Sequence, residues 1–326
     1  MKFKVLTLII GFAVLIAVLI SCVTIPLPNE NSNNDSQINS KAPVVSTISD
    51  NSENSSTEVS SDNSKNESPD NSTLESSTDQ SNPSVVTEQS TDWSRYTAKE
   101  CDEYFKESVF VGDSVMLGYK SYIDRKRLTN SEFMSSVKFH VAGSYGAESA
   151  LWPISDKSVH PMYQGEQTKI EDAVALMGVK KVFILFGLND VGKYNNGTGP
   201  EETLKNYKTL FSRIKEKSPD VEIIIISATY LYEDWEKSLT NLTSKNLRKL
   251  NQLMLEYCNE NSMDYIDVAT ALATDNGYLK PDYCSDNECH LYDPAYDIWT
   301  NIFRAYAASK LDSNYKNVSS MTMQFE

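Results

Sequence analysis

The chain has 326 residues, 40% of them hydrophobic, and a formal net charge of −15. That length leaves room for one large or two ordinary domains with a real core, and the negative charge argues against nucleic acid as a partner. The acidity is uneven: between Val23 and Asp92 twelve acidic residues stand against two lysines, so ten of the net negative charges lie there and the rest is only mildly acidic.

Met1-Lys2-Phe3-Lys4 precedes an uncharged run from Val5 to Ile20. A basic start followed by about sixteen apolar residues is short for a spanning helix and right for a secretory signal. The run ends in Leu19-Ile20-Ser21-Cys22, which resembles the lipobox of bacterial lipoproteins. The resemblance implies cleavage before Cys22, a diacylglyceryl group on its sulfur and anchoring by two acyl chains. An uncleaved N-terminal anchor is the alternative, and either one places the body of the protein outside the cytoplasm on a membrane. From residue 23 to 92 the chain is Ser, Asn, Asp, Thr and Glu with scattered prolines. Such a segment cannot bury enough apolar surface to offset chain entropy, so a disordered tether is expected, with an r.m.s. span of roughly 45–50 Å.

The remaining stretch, 93–326, alternates strand and helix. A short helix is expected over Lys99–Lys106. Ser108-Val109-Phe110-Val111-Gly112 reads as a buried strand that stops at a glycine and delivers Ser114 to a helix start, where backbone N–H groups are free. A second strand, Val137–Val141, runs into Ala142-Gly143-Ser144-Tyr145-Gly146. Thr168-Lys169-Ile170-Glu171 has the capping-box pattern of a helix that stops at Gly178. Lys181–Gly187 is a continuous apolar run, as in a parallel sheet covered on both faces. Gly199-Pro200 opens a helix with Leu204, Tyr207, Leu210, Phe211 and Ile214 on its apolar stripe. Val221–Ser227 is a fourth strand, a helix with Leu247, Leu250, Met254 and Tyr257 inward follows, and Tyr265–Val268 is a fifth strand. Asp293-Pro294 reads as a cap-plus-proline start for a last helix carrying Ile298, Trp299, Phe303 and Tyr306. This alternation predicts an α/β fold: a three-layer α/β/α sandwich on a doubly wound parallel sheet of about five strands, with ligands at the carboxyl ends of the strands.

Those carboxyl ends carry Gly112-Asp113-Ser114, Gly143 to Gly146, and Gly187-Leu188-Asn189-Asp190, and before the last helix comes Cys284-Ser285-Asp286-Asn287-Glu288-Cys289-His290. Together and in order they resemble the four sequence blocks of the SGNH hydrolases, or GDSL esterases, from about Glu107 to Ala307. The resemblance implies the flavodoxin-like fold of that family and a catalytic triad of Ser114, His290 and Asp286. It implies an oxyanion hole built from the Ser114 N–H, the N–H of Gly143 (with Gly146 as the alternative) and the Asn189 amide. No cofactor and no metal follow from it. The chemistry is consistent: a serine hydroxyl needs a base, histidine titrates near neutrality, and a carboxylate fixes the imidazole's tautomer. The sequence has three histidines. His140 lies within a strand and reads as structural, His160 in a loop is a candidate for lining the cleft, and His290 stands where the family's histidine does.

One departure concerns the acid. The family's spacing puts it three residues before the histidine, where this chain has Asn287; Asp286 stands four before. A one-residue bulge in the loop, held by Cys284 and Cys289, would still present Asp286; otherwise a Ser-His dyad assisted by Glu288 is expected. Cys101, Cys258, Cys284 and Cys289 allow disulfides in an extracytoplasmic setting, Cys284–Cys289 being near in sequence, and a zinc site at His290 lacks a second Cys/His pair. For substrate, Tyr145, Trp152, Tyr194, Tyr230, Tyr232 and Trp235 follow strand ends and are candidates for stacking on sugar rings. The expected activity is removal of a small acyl group, such as acetyl, from carbohydrate or cell-wall polymer by a surface-anchored esterase. Two alternatives stand beside it: an acyltransferase using the same triad, and a surface binding lipoprotein with a relic site.

Overall fold

The computed structural model describes residues 91–317. The signal-like segment 1–22 with Cys22, and the tether up to residue 90, lie outside the described residues. In chain order the elements are α1 (Ala98–Glu103), β1 (Ser108–Gly112), α2 (Ser114–Arg127), β2 (Lys138–Val141), a small hairpin of β3 (Met162–Tyr163) and β4 (Glu166–Gln167), and α3 (Ile170–Met177). They continue with β5 (Lys181–Leu185), α4 (Gly199–Lys217), β6 (Glu222–Ile226), the short α5 (Glu233–Glu236), α6 (Ser244–Glu260), β7 (Asp264–Ile266) and α7 (Asp293–Leu311). Among the described residues, no helix is long and apolar enough to cross a membrane.

The five main strands form one sheet in the order β2-β1-β5-β6-β7, all parallel. With the hairpin set aside this is the flavodoxin-like order, which reverses direction between β1 and β5 and opens a crevice at their carboxyl ends. Its helices pack in two groups, α3 with α4 and α4 with α6 in one, α1 and α2 with α7 in the other. Sequence alternation thus translates into the three-layer sandwich it predicts.

Register is set by core side chains. Phe110 on β1 pairs with Phe183 on β5, and their rings stack at 4.7 Å, nearly parallel. Phe303 from α7 meets Phe110 edge-on at 5.1 Å, so one ring cluster ties the two central strands to the last helix. A one-residue slip of either strand would break this stack, which is why Gly112 and Leu185 end level with one another. Where β5 ends, Gly187 has φ +153, and a Cβ there would lie 2.7 Å from the Ala228 Cβ. No other residue fits that turn.

Two helix starts differ from expectation. The T-x-x-E pattern forms a capping box at Thr97–Glu100, ahead of α1, and not at Thr168–Glu171. Thr168 spends its hydroxyl on the Glu166 carbonyl at 2.9 Å, within the hairpin, and Glu171 is buried 3.8 Å from Arg213. Asp293 is the first residue of α7, following Tyr292 as cap, and its carboxylate pairs with Arg125.

Candidate active site

Asp113 caps α2. Its side chain is fully buried and accepts the Val115 N–H at 2.9 Å, leaving Ser114 as the first helical residue. The expectation that Ser114 sits at a helix start holds, while the capping belongs to its neighbour. Among the described residues the Ser114 N–H donates to no acceptor, as the first turn of a helix allows. Burial pushes the Asp113 carboxyl up to about 7, against the pull of the Val115 and Met116 N–H groups.

His290 reaches Ser114 from the loop before α7, with Nε2 2.8 Å from the Ser114 Oγ. Its other nitrogen, Nδ1, is 2.5 Å from Asp286 Oδ2. A carboxylate only accepts, so Nδ1 carries the proton and Nε2 is left to accept from the serine hydroxyl. Asp286, four residues before His290, still reaches the imidazole because Asn287 adopts φ +59 and turns the chain at the extra residue. The bulge expected from the sequence is therefore present, held differently. Cys284 and Cys289 are free thiols, as are Cys101 and Cys258. In place of a disulfide, Asp286 Oδ1 accepts the N–H groups of Glu288 at 2.8 Å, Cys289 at 3.1 Å and His290 at 3.2 Å. Ser285 N–H to the His290 carbonyl at 2.8 Å, and Tyr232 N–H to the Glu288 carbonyl at 2.8 Å, close the loop on itself and on its neighbour. Burial raises the Asp286 carboxyl, but the His290 ring and the loop N–H groups outweigh it and hold the group below the ordinary carboxylate range.

The strand ends of β2 and β5 complete the crevice. β2 leaves the sheet beside Gly112, where the Ala142 N–H meets the Gly112 carbonyl at 3.3 Å, so Gly143 follows directly next to the start of α2. Among the described residues the Gly143 N–H has no acceptor, and a Cβ there would meet nothing within 4 Å. Gly146 differs: its N–H goes to Ser149 Oγ at 2.9 Å, and a Cβ would lie 2.6 Å from Asp190 Oδ2. Gly146 is small so that buried Asp190 can approach and accept the N–H groups of Ala147 at 3.1 Å and Glu148 at 3.0 Å. Asn189 is only partly buried, and its amide donates one hydrogen to the Tyr145 carbonyl at 3.1 Å. An amide has a second hydrogen, which this bond leaves available.

The other histidines stand apart. His140 is buried in β2 with Nε2 on the Thr168 carbonyl at 3.0 Å, and burial lowers it to about 4. His160 is buried rather than facing the cleft: its Nε2–H donates to the Trp152 carbonyl at 3.0 Å and its Nδ1 accepts the Tyr145 hydroxyl at 3.2 Å. Of the candidate sugar-stacking rings, Tyr145 and Tyr230 are core residues, 0% and 1% exposed, while Trp152 is 41% exposed beneath the Lys193 ammonium. Tyr194, Tyr232 and Trp235 are half-buried.

Two positioning contacts have no obvious signature in the sequence. Tyr296 on α7 donates its hydroxyl to the Val115 carbonyl at 2.9 Å, and Gly118 on α2 lies against that hydroxyl, where a Cβ would come within 2.0 Å. They fix the first turn of α2 against the helix that follows His290. An i, i+4 glycine after the serine was visible as a residue, but its partner depends on how the helices cross.

Residues 110–298 match the GDSL-like lipase/acylhydrolase family. The chain belongs to this family, the SGNH hydrolases, and is a serine ester hydrolase by class. Solved structures similar to it include a proposed acylhydrolase from Bacteroides fragilis, 17% identical, covering 69% of this chain and 100% of that one with a TM-score of 0.48. A GDSL-like lipase from Bacteroides thetaiotaomicron is 16% identical, covering 68% and 98%, with a TM-score of 0.45. The lipase/acylhydrolase from Enterococcus faecalis is 15% identical, covering 65% and 99%, with a TM-score of 0.41. No curated protein matches the chain.

Proposed function

We propose that the protein cleaves small O-acyl esters, acetyl foremost, from carbohydrate or cell-wall polymer through an acyl-enzyme on Ser114. The observation that carries this reading is the unbroken line from Asp286 to His290 to Ser114, at 2.5 and 2.8 Å. In it His290 takes the Ser114 proton as Oγ attacks the ester carbonyl and returns it to the departing alcohol; Asp286 steadies the charged imidazole. Water then repeats the sequence to release the acid. The N–H groups of Ser114 and Gly143, with the free hydrogen of Asn189, are the donors for the oxyanion. Gly143 is preferred over Gly146 because the Gly146 N–H is already spent on Ser149.

The preference for a small acyl group rests on the sequence, which has no long apolar segment to form a lid over a fatty chain. Exposed Trp152, beside Lys193, is the most open of the candidate platforms for a sugar ring. Lipid anchoring at Cys22, on the extracytoplasmic face of the membrane, belongs to the same reading and rests on the signal-like segment alone. Asn287 at the usual acid position is the one feature that fits a binding lipoprotein with a relic site; the Asp286–His290 contact speaks against it. The test is hydrolysis of a short activated acyl ester by the parent and by Ser114→Ala. Loss in the variant supports the reading, and equal rates defeat it. Product analysis with acetylated glycans and glycan acceptors separates hydrolysis from acyl transfer.

A further inference from the structure

We propose that the loop from Cys284 to His290 is also a binding site for a soft divalent cation, with Zn2+ as the ion its donors fit, and that occupancy switches off the Ser114–His290 pair. One donor atom each from Asp286, Cys289 and His290 lie within 4.8 Å of one another. Carboxylate, thiolate and imidazole with a fourth position for water is a zinc donor set, whereas magnesium and calcium take oxygen ligands. The loop backbone organises these donors: three N–H groups hold Asp286 Oδ1 and leave Oδ2 for the imidazole. The His290 and Asp286 side chains are 42% and 31% exposed while Cys289 is 8% exposed, so an ion arrives from solvent and meets the thiol at the back. Cys284 brings a second sulfur to the same carboxylate, 3.6 Å from Oδ1. Bonds of about 2.0–2.3 Å place ligand atoms roughly 3.3–3.8 Å apart, so the Nδ1–Oδ2 contact opens as the ion enters.

The consequence for chemistry follows from the tautomer. Ser114 occupies Nε2, so the ion takes Nδ1. The Nδ1 proton moves to Nε2, the Cys289 thiol gives its proton to water, and lone pairs of nitrogen, sulfur and carboxylate oxygen replace three of the ion's waters. No redox change occurs. With Nε2 protonated and Nδ1 on the metal, the ring has no lone pair left for the Ser114 proton. The inference rests on His290 acting as the base for Ser114. It also gives Cys289, which the hydrolytic chemistry leaves unused, a function.

The test titrates the purified protein with Zn2+, and with Mg2+ for comparison, during hydrolysis of a short activated acyl ester. Zn2+ should suppress turnover, a chelator should restore it, and Mg2+ should have no effect. Cys289→Ala and Cys289→Ser should hydrolyse the ester like the parent but need roughly tenfold more Zn2+ or more, as losing a donor implies. Binding is read separately with Co2+, whose thiolate charge-transfer band should appear in the parent and vanish in both variants. Turnover indifferent to Zn2+, equal sensitivity in the variants, or no thiolate band in the parent would overturn the proposal. Were the parent to hydrolyse no ester, the cobalt band would still decide the metal site, and the failure would belong to the hydrolase reading.

Discussion

Ser114 and His290 meet because two local devices converge on them. The Asp113 cap leaves the serine at the first helical position with its own N–H unspent, and the left-handed turn at Asn287 lets Asp286 reach back across an extra residue. Asn189 is the proposed oxyanion donor that a substitution isolates most cleanly. Asn189→Ala should lower kcat by about 10²–10³-fold with the fold intact, measured by steady-state kinetics beside circular dichroism. Asp113 makes a prediction of a different kind. Its pKa, about 7, is above the value of an ordinary carboxylate, so the folded chain holds a proton that the unfolded chain releases. Stability is therefore full below about pH 4 with respect to this group, declines towards about pH 7 and stays reduced above. Asp113→Asn keeps an oxygen for the Val115 N–H and removes that decline, a difference of at most about 4 kcal/mol at pH 8. Denaturant titrations of both proteins at pH 5 and 8 check it; parallel shifts in the two would contradict it.

At the scale of elements, the five sheet strands and the longer helices were legible from periodicity and the four blocks from their resemblance to the family's, while the β3–β4 hairpin and α5 were not. What was not legible depends on partners distant in sequence. Thr97 and Thr168 carry the same T-x-x-E pattern, but only Thr97 has a free hydroxyl for the cap, because the hairpin claims the other. Tyr145 and Tyr230 follow strands as the exposed aromatics do, yet they pack inward, and His160 joins Tyr145 beneath the surface. The Cys284–His290 loop shows how the bulge was readable and its support was not: backbone N–H groups on Asp286 do what a disulfide was expected to do. The loop therefore depends on the backbone at Asn287. Asn287→Gly should retain activity, while Asn287→Val, strained at φ +59, should cost about 1–3 kcal/mol of loop stability and lower kcat. Activity of both variants, with thermal denaturation, reads the difference.

On the scale of the molecule, the order β2-β1-β5-β6-β7 places three of the four blocks around the point where the sheet reverses, and α7 brings the fourth. Gly118 and Tyr296 hold α2 against α7, so the distance from Ser114 to His290 is a property of two helices rather than of one motif. The family is thereby legible from short stretches while the geometry is distributed over the whole domain. In the proposed cellular arrangement this domain works at the end of a tether fixed by Cys22. Cys22→Ser should move the protein from the membrane fraction to the soluble fraction with kcat on a small ester unchanged. Retention in the membrane fraction would contradict anchoring through that sulfur.

The central claim is that Ser114 is an activated nucleophile. Treatment with a fluorophosphonate followed by mass spectrometry of the peptides tests it most directly. The geometry predicts a single adduct on Ser114 in the parent protein and loss of labelling in His290→Ala, whose serine has no base at 2.8 Å. An unlabelled Ser114 in the parent, or equal labelling without His290, would contradict the account.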